Sequence, residues 1–140
     1  MDYSVKKVTI DDYDAIYELW NSMEQSRRAL NPIDDSRDGI ARYLKRNPDT
    51  CFIAVKDGKI IGVILTGHDG RRAIIHHLCV HPDYRRMGIA GHLVSLAEEA
   101  LQKEYRRYLD WSLKIMKRLM SFGSSRVIHS EQTLITATKV

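Results

Sequence analysis

The hydrophobic positions of the first fifty residues follow a strand pattern briefly and then a helical one. Residues 3–9 alternate loosely between apolar and polar side chains, which predicts a first strand. The next apolar side chains recur at i, i+3, i+4 and i+7, which is typical of an amphipathic helix; they are Tyr13, Ile16, Tyr17, Trp20 and Met23. Ser36 is a suitable N-cap for a second short helix that ends before Asn47-Pro48.

The period then changes to that of strands. Residues 51–56 form a short apolar run, and Asp57-Gly58 is a strong hairpin signal because both turn positions tolerate positive φ. Residues 59–67 supply the return strand, Asp69-Gly70 a second turn of the same kind, and residues 71–80 a third strand. The pattern therefore predicts a three-stranded antiparallel meander.

A helical period returns at residues 88–101, and a glycine-containing loop joins this helix to the third strand. Arg85, Gly88 and Ala90 have the spacing Arg-x-x-Gly-x-Ala. Small residues let a ligand approach the backbone, and the unpaired N–H groups and dipole of the following helix favour a pyrophosphate. Arg85 and Arg86 would add charge and forked donors. An ordinary strand–turn–helix connection with solvated arginines explains such a pattern in isolation equally well.

The longer sequence around this loop is more specific. It runs Leu78-Cys79-Val80-His81-Pro82-Asp83-Tyr84-Arg85-Arg86-Met87-Gly88-Ile89-Ala90. This stretch resembles the acetyl-CoA motif of the GNAT superfamily of N-acetyltransferases, (Gln/Arg)-x-x-Gly-x-(Gly/Ala) preceded by Val-x-Pro. The predicted order of strand, two helices and meander also resembles that family, over residues 3–102.

The resemblance implies an α/β (α+β) fold, with a mixed, mostly antiparallel sheet flanked by helices and splayed between its fourth and fifth strands. Acetyl-CoA, the implied cosubstrate, would lie in the splay. Backbone groups of Leu78, Cys79 and Val80 would pair with its pantetheine arm. The loop residues expected to hold its pyrophosphate are Arg85, Arg86, Met87, Gly88, Ile89, Ala90 and Gly91.

The activity that the resemblance implies is acetyl transfer to a primary amine of a small molecule or peptide, by direct attack of the amine on the thioester. The oxyanion would be stabilised by a backbone N–H near Cys79 or Val80. A non-catalytic or decayed acyl-CoA-binding protein is the alternative. No motif identifies the acceptor, and the candidates from the early helices for its pocket are Trp20, Arg27, Arg28 and Asp34.

Two adjacent histidines are the candidates for the base that removes the amine proton, because histidine titrates near neutral pH. In a regular strand, His76 shares a face with Ile74 and Leu78, and family members often place a base at this position. His77 points to the other face unless a bulge exchanges the two. A satisfied structural role explains either histidine alone equally well, and His81, in a Val-His-Pro-Asp turn, is expected to be structural.

Metal and thiol chemistry are the rival explanations for this histidine-rich region. The spacing of its histidines matches no zinc signature, so we expect no metal site. Cys79 would need a base and a lowered pKa to act as a nucleophile, and it lies in an apolar strand. Cys51 is expected in the core.

The composition indicates a single globular domain of 140 residues, with 44% hydrophobic and 29% charged residues. No apolar run approaches the roughly 18 residues of a membrane span, and no signal peptide is recognisable. Two cysteines cannot form a disulfide scaffold, so we expect a cytoplasmic protein without a membrane partner.

The excess of positive over negative charge lies entirely in the last quarter of the chain. Residues 1–102 carry 14 Lys and Arg against 15 Asp and Glu, whereas residues 103–140 carry 8 against 3. Aromatic residues interleave with the basic ones between residues 105 and 118, which would suit nucleic acid. A solvated helix face explains the same residues more simply, so we do not expect nucleic acid as a partner.

Residues 103–140 depart from the family, which continues with a fifth strand, a helix and two more strands. Their helical spacing predicts an atypical helical segment within the same domain as the core, residues 1–102. Synonymous codons for residues 110–123 can be chosen so that a shifted frame encodes a family-like fifth strand, which suggests a frameshift near codon 104. The open edge of the fourth strand would then be covered by this segment or by a second copy in a homodimer.

Overall fold

A computed structural model of the chain describes residues 2–70, 73–104 and 128–129. The strands are β1 (Ser4–Lys7), β2 (Cys51–Lys56), β3 (Lys59–His68), β4 (Ala73–Val80) and the two-residue β5 (Ile128–His129). The helices are α1 (Tyr13–Asn21), α2 (Glu24–Arg28), α3 (Arg37–Arg46) and α4 (Ile89–Glu104), with short 3-10 turns at Ile10–Asp12 and Pro82–Tyr84. The predicted atypical helix at residues 105–120 and most of the C-terminal segment lie outside the described residues.

Local interactions fix the beginnings of the helices, and the predicted Ser36 cap is confirmed. The Ser36 side chain accepts a hydrogen bond from the backbone N–H of Gly39 at 3.1 Å and caps α3. Before α1, the backbone N–H of Thr9 donates to the Asp12 carboxylate at 2.9 Å in a capping box. The predicted first helix is interrupted after Asn21, and the chain resumes helical geometry as α2.

The sheet has the order β1-β2-β3-β4-β5, and every strand pair in the described part of the chain is antiparallel. The predicted meander of β2, β3 and β4 is confirmed. Asp57 and Gly58 both adopt positive φ at the first turn, as a two-residue hairpin of this type requires. The predicted α/β (α+β) fold with a mostly antiparallel sheet flanked by helices is thus confirmed.

Helices cover both faces of the sheet and create two apolar clusters. On one face α4 packs through Ile89, Leu93 and Ala97 against β2, β3 and β4. On the other face α1 and α3 pack through side chains such as Trp20 and Ile40. Cys51 belongs to this second cluster and is fully buried, as predicted. No helix in the described ranges is long and apolar enough to cross a bilayer.

A close backbone contact holds the turn before α3 in place. A Cβ atom on Gly39 would lie 2.3 Å from the carbonyl oxygen of Asp34 and 2.5 Å from that of Ile33. The third position of α3 therefore has to be glycine if the turn is to pack directly on the helix.

We predict that Gly39→Ala lowers the free energy of unfolding by about 1–3 kcal/mol, because the added methyl group forces the backbone of the turn away. Gly91→Ala is a matched control, since Gly91 is also the third residue of its helix and has open space around it. Alanine there should leave stability unchanged or raise it by about 0.5–1 kcal/mol. Urea unfolding measures both, and equal shifts for the two variants would contradict the packing argument.

Candidate functional site

A cavity of about 520 Å³ opens between the turn before α3, α3 itself and the middle of the sheet. Its walls combine apolar side chains with a few charged or polar ones. The lining residues are Ala29, Asp34, Asp35, Gly39, Ile40, Arg42, Tyr43, Leu65, His76 and His77. A concave site of this size, with both apolar and polar side chains in its walls, is suited to a small polar ligand.

A β-bulge in β4 directs both candidate histidines into this cavity. His77 pairs with Leu65 and Ile75 pairs with Thr66, so His76 is an extra residue with no partner of its own on β3. The bulge interrupts the alternation of side chains. The expectation that His76 and His77 point to opposite faces is therefore wrong, because it assumed a regular strand.

His77 is the buried member of the pair and is held by a carboxylate. Its Nε2 lies 2.7 Å from Oδ1 of Asp35, and both residues are less than 10% exposed. The indole of Trp20 packs on the other side of the imidazole, with 4.5 Å between ring centroids. Burial opposes ionisation of Asp35, but the hydrogen bond and charge of His77 outweigh it, so that the pKa of this carboxyl is lowered.

Asp35 is a site residue that the sequence analysis missed. Its second carboxylate oxygen accepts a hydrogen bond from the backbone N–H of Asn31 at 2.7 Å, and its carbonyl accepts one from the Tyr13 hydroxyl at 2.7 Å. The Asn31 side chain in turn accepts from the N–H groups of Ile33 and Asp34. The turn is thus fixed by its own hydrogen bonds. Its Asn-Pro-x-Asp-Asp sequence indicates a turn but not which aspartate is buried.

His76 is the histidine that is open to the cavity. Its side chain remains solvent-accessible while its ring packs edge-on against the ring of Tyr43, at 5.1 Å between centroids. Partial burial among these walls and the nearby His77 lower the pKa of His76. The imidazole is therefore neutral and able to accept a proton at pH 7.

Tyr43 contributes a buried phenol beside His76. Its hydroxyl has no hydrogen-bond partner among the described residues. Burial raises the pKa of this phenol well above its usual value, so it stays protonated and can act only as a donor or a neutral acceptor.

The glycine loop after β4 has the geometry of an anion site. Arg86 and Gly88 adopt φ values of 67° and 76°, and a non-glycine residue in this region stores about 1–3 kcal/mol of strain. The N–H of His92 donates to the Gly88 carbonyl at 3.0 Å, so α4 starts directly after this glycine and its first N–H groups have no intrahelical partner. Among the described residues, no heavy atom outside the loop comes within 4 Å of a Cβ placed on Gly88 or Gly91, which leaves room for a ligand.

The two loop arginines differ in role. The Nε of Arg85 donates to the Val80 carbonyl at 3.3 Å, and its Nη2 lies 3.7 Å from the sulfur of Met23. Arg85 is thus turned back toward the strand end and orders it, and its role at the pyrophosphate stays a prediction. Arg86, like Met87, is exposed at the loop surface.

The side chains at the end of β4 are buried, and none of them is reactive at neutral pH. Leu78, Cys79 and Val80 are all less than 10% exposed. Burial raises the pKa of the Cys79 thiol to about 12, so it is not a nucleophile at neutral pH. On the outer edge of β4, His77 and Leu78 pair with β5; the residues that would continue this register past Cys79 and Val80 lie outside the described residues.

Several other candidates prove to be structural. His81 accepts a hydrogen bond from the N–H of Asp83 and caps a 3-10 turn. Trp20 is fully buried behind His77, so it cannot contact an acceptor, and Arg28 pairs with Glu24 at 2.7 Å outside the cavity. Arg27 does not line the cavity either, whereas Asp34 does. Within the described ranges no group of three metal-ligating side chains occurs.

Comparison with known proteins gives a consistent family match. The model of the "Acetyltransferase (GNAT) family" matches residues 13–121, extending past residue 102. An acetyltransferase of Pectobacterium atrosepticum is 37% identical over 91 residues, which are 65% of this chain and 62% of the relative. One of Sodalis glossinidius is also 37% identical, over 65% of this chain and 61% of its own length. The chain thus spans about three fifths of the length of these curated relatives.

Solved structures share the fold at low sequence identity. The PaiA N-acetyltransferase from Thermoplasma acidophilum, in complex with coenzyme A, has a TM-score of 0.63 at 19% identity and covers 74% of both chains. The GphF GNAT-like decarboxylase, in complex with isobutyryl-CoA, has a TM-score of 0.57 at 18% identity over 71% of this chain and 59% of its own.

We predict that Asp35→Ala lowers the free energy of unfolding by about 3–5 kcal/mol at pH 7, because it leaves His77 buried without its carboxylate. The lowered pKa of Asp35 means that its contribution is present above the unfolded value of about 3.9 and is lost as the pH falls through the folded value. The difference in the free energy of unfolding between the variant and the wild type should therefore be smaller at pH 3 than at pH 7.

Asp34→Ala is the matched control, because Asp34 is the exposed neighbour on the same turn and should change stability by no more than about 0.5 kcal/mol. Urea unfolding at the two pH values measures these differences. If the loss of unfolding free energy in Asp35→Ala does not depend on pH, or if both variants lose the same amount, the contact between Asp35 and His77 is not the cause.

Proposed function

The chain belongs to the acetyltransferase (GNAT) family, and from this premise we propose that it transfers the acetyl group of acetyl-CoA to a primary amine of a small molecule or peptide. One observation carries the proposal: the bulge in β4 presents a neutral histidine to a cavity, on the strand that leads directly into the anion-binding loop. One strand thus connects a proton acceptor with the expected cofactor loop.

The cofactor would be held mainly by the backbone. In this proposal the backbone N–H groups from Arg86 to Gly91 bind the pyrophosphate, with the helix dipole of α4 and the exposed Arg86 adding positive potential. Arg85 is a positioning residue that keeps the Val80 carbonyl in place. Two proteins with the same fold, PaiA and GphF, were solved with coenzyme A and isobutyryl-CoA, which supports acetyl-CoA as the cosubstrate.

His76 would act as the base. The acceptor enters as an ammonium ion, and its proton moves to Nδ1 or Nε2 of the neutral His76. The free amine then attacks the thioester carbonyl, forming the C–N bond. As the tetrahedral intermediate collapses, the C–S bond breaks, the attacking nitrogen loses its extra proton to give the amide, and the coenzyme A thiolate takes up a proton in its place. A backbone N–H near Cys79 or Val80 would stabilise the oxyanion.

The buried Asp35–His77 pair would support this base in two ways. It fixes the bulged backbone on which His76 lies, because the pair ties β4 to the turn before α3. Together with burial, the neighbouring His77 also lowers the pKa of His76, which keeps His76 in its basic form. Asp35 and His77 are positioning residues in this account.

The arrangement of residues 103–140 in the same domain, the frameshift near codon 104 and a homodimer through β4 remain predictions. Sequencing the gene across codons 104–123 tests the frameshift: codons that do not permit a family-like shifted frame would exclude it. Size-exclusion chromatography with light scattering tests the dimer.

We predict that His76→Gln lowers kcat by about 10²–10⁴-fold with little change in acetyl-CoA affinity, because glutamine cannot take the proton. The lowered pKa of His76 places the acidic limb of the wild-type profile below pH 6.5, where the base becomes protonated and activity falls. That limb should vanish in the variant. Thiol release with a panel of amines measures the rate.

Ile74→Gln is the matched control, since Ile74 is an exposed residue of the same strand and should leave kcat unchanged. Partial recovery of His76→Ala by added imidazole would identify a proton-transfer role. If His76→Gln retains wild-type kcat and the same acidic limb, His76 is not the base.

We predict that Gly91→Glu weakens acetyl-CoA binding by at least about tenfold, because it places a carboxylate where the pyrophosphate would bind. Gly91→Ala, which adds only a methyl group in open space, should lose much less affinity for acetyl-CoA. Calorimetric titration with acetyl-CoA measures both. Tight binding with no turnover for any amine would favour the non-catalytic acyl-CoA-binding alternative, and unchanged binding in Gly91→Glu would refute the loop assignment.

A further inference from the structure

We propose that the cavity selects an amine that also carries a carboxylate, namely an amino acid or a short peptide. Arg42 would bind the carboxylate and Asp34 would receive the ammonium group. The inference rests on the proposed function, because it assigns the acceptor of the same site.

Two opposite charges line this cavity without neutralising each other. Asp34 and Arg42 both contribute to its wall, and both are exposed. In the part of the chain that the structure describes, the side chain of neither forms an ion pair or a hydrogen bond, whereas Arg37 on the same helix pairs with Asp14 at 3.8 Å. A ligand with both charges would satisfy the two residues together.

The frame that carries the two charges is rigid. The Asp34 backbone packs directly on Gly39, and Asn31 fixes the N–H of Asp34 at 2.9 Å. Arg42 follows Gly39 by three residues in α3, so it lies on the same face, about 5 Å further along the helix axis. Both charged residues therefore line one cavity, where a small molecule that carries an ammonium and a carboxylate can contact the two together.

Each charge is matched to its expected partner. The guanidinium of arginine binds a carboxylate with two parallel hydrogen bonds, which an amide cannot reproduce. Asp34 is close enough to His76 to act on its charge, so an ammonium held by Asp34 would be near the base. The remaining walls include Ala29, Ile40 and Leu65, which favour an apolar side chain on the acceptor.

A matched set of three amines tests the inference: L-leucine, L-leucinamide and 3-methylbutylamine, which have the same alkyl group with and without the carboxylate. Thiol release from acetyl-CoA gives kcat/KM for each, and calorimetry in the presence of coenzyme A gives binding. We expect leucine to be preferred over its amide by about tenfold or more, the effect of a charged hydrogen bond.

Variants assign this preference to named residues. Arg42→Gln should abolish the preference for leucine over its amide, whereas Arg46→Gln, one turn further along α3 and outside the cavity, should keep that preference. Asp34→Asn should weaken the binding of all three amines to the same extent.

The outcomes separate the two proposals. If amines are acetylated but leucinamide or 3-methylbutylamine matches leucine, the inference is overturned and the acetyltransferase proposal stands. A second outcome is that no amine is acetylated, but leucine binds in preference to its amide and Arg42→Gln removes this preference. In that case the acetyltransferase proposal is wrong and the inference of carboxylate recognition stands. Absence of both turnover and leucine binding would overturn the inference, as would a preference for leucine that survives Arg42→Gln.

Discussion

The buried hydrogen bond between His77 and Asp35 connects the two parts of the chain that form the cavity. Asp35 closes the turn before α3, and His77 lies in the middle of β4, so the bond joins residues 42 positions apart. Burying a carboxylate and an imidazole is costly, and this cost is offset because both are held by further contacts, including the Asn31 N–H and the Trp20 ring. The wall made by α3 and the histidines on β4 therefore keep a fixed separation.

The bulge at His76 depends on the same arrangement. A regular strand would place His76 on the face covered by α4, which Leu78 occupies, and Ile75 on the opposite face. With the extra residue, His76 and His77 share the opposite face and take different roles. The buried one is locked by a carboxylate, and the accessible one is available to a ligand.

Local sequence patterns predicted the features that depend on near neighbours. The Ser36 cap, the Asp57-Gly58 hairpin and the glycine loop each follow from residues within a few positions of one another. Long-range features were not predictable in this way. Alternation alone placed the two histidines on opposite faces, and nothing local distinguishes the buried Asp35 from the exposed Asp34. The inward turn of Arg85 likewise depends on Met23, which is 62 positions away.

The burial of both cysteines has a practical consequence for redox chemistry. The chain contains two cysteines in all, and burial raises the pKa of each thiol to about 12. At pH 7 only about one thiol in 10⁵ is then ionised, and the thiolate is the form that reacts with oxidants and disulfides. The thiols of the folded protein should therefore resist oxidation to sulfenic acid and should not react with thiol-specific dyes. If the proposed acetyl transfer takes place, any free thiol that appears in the assay would come from coenzyme A.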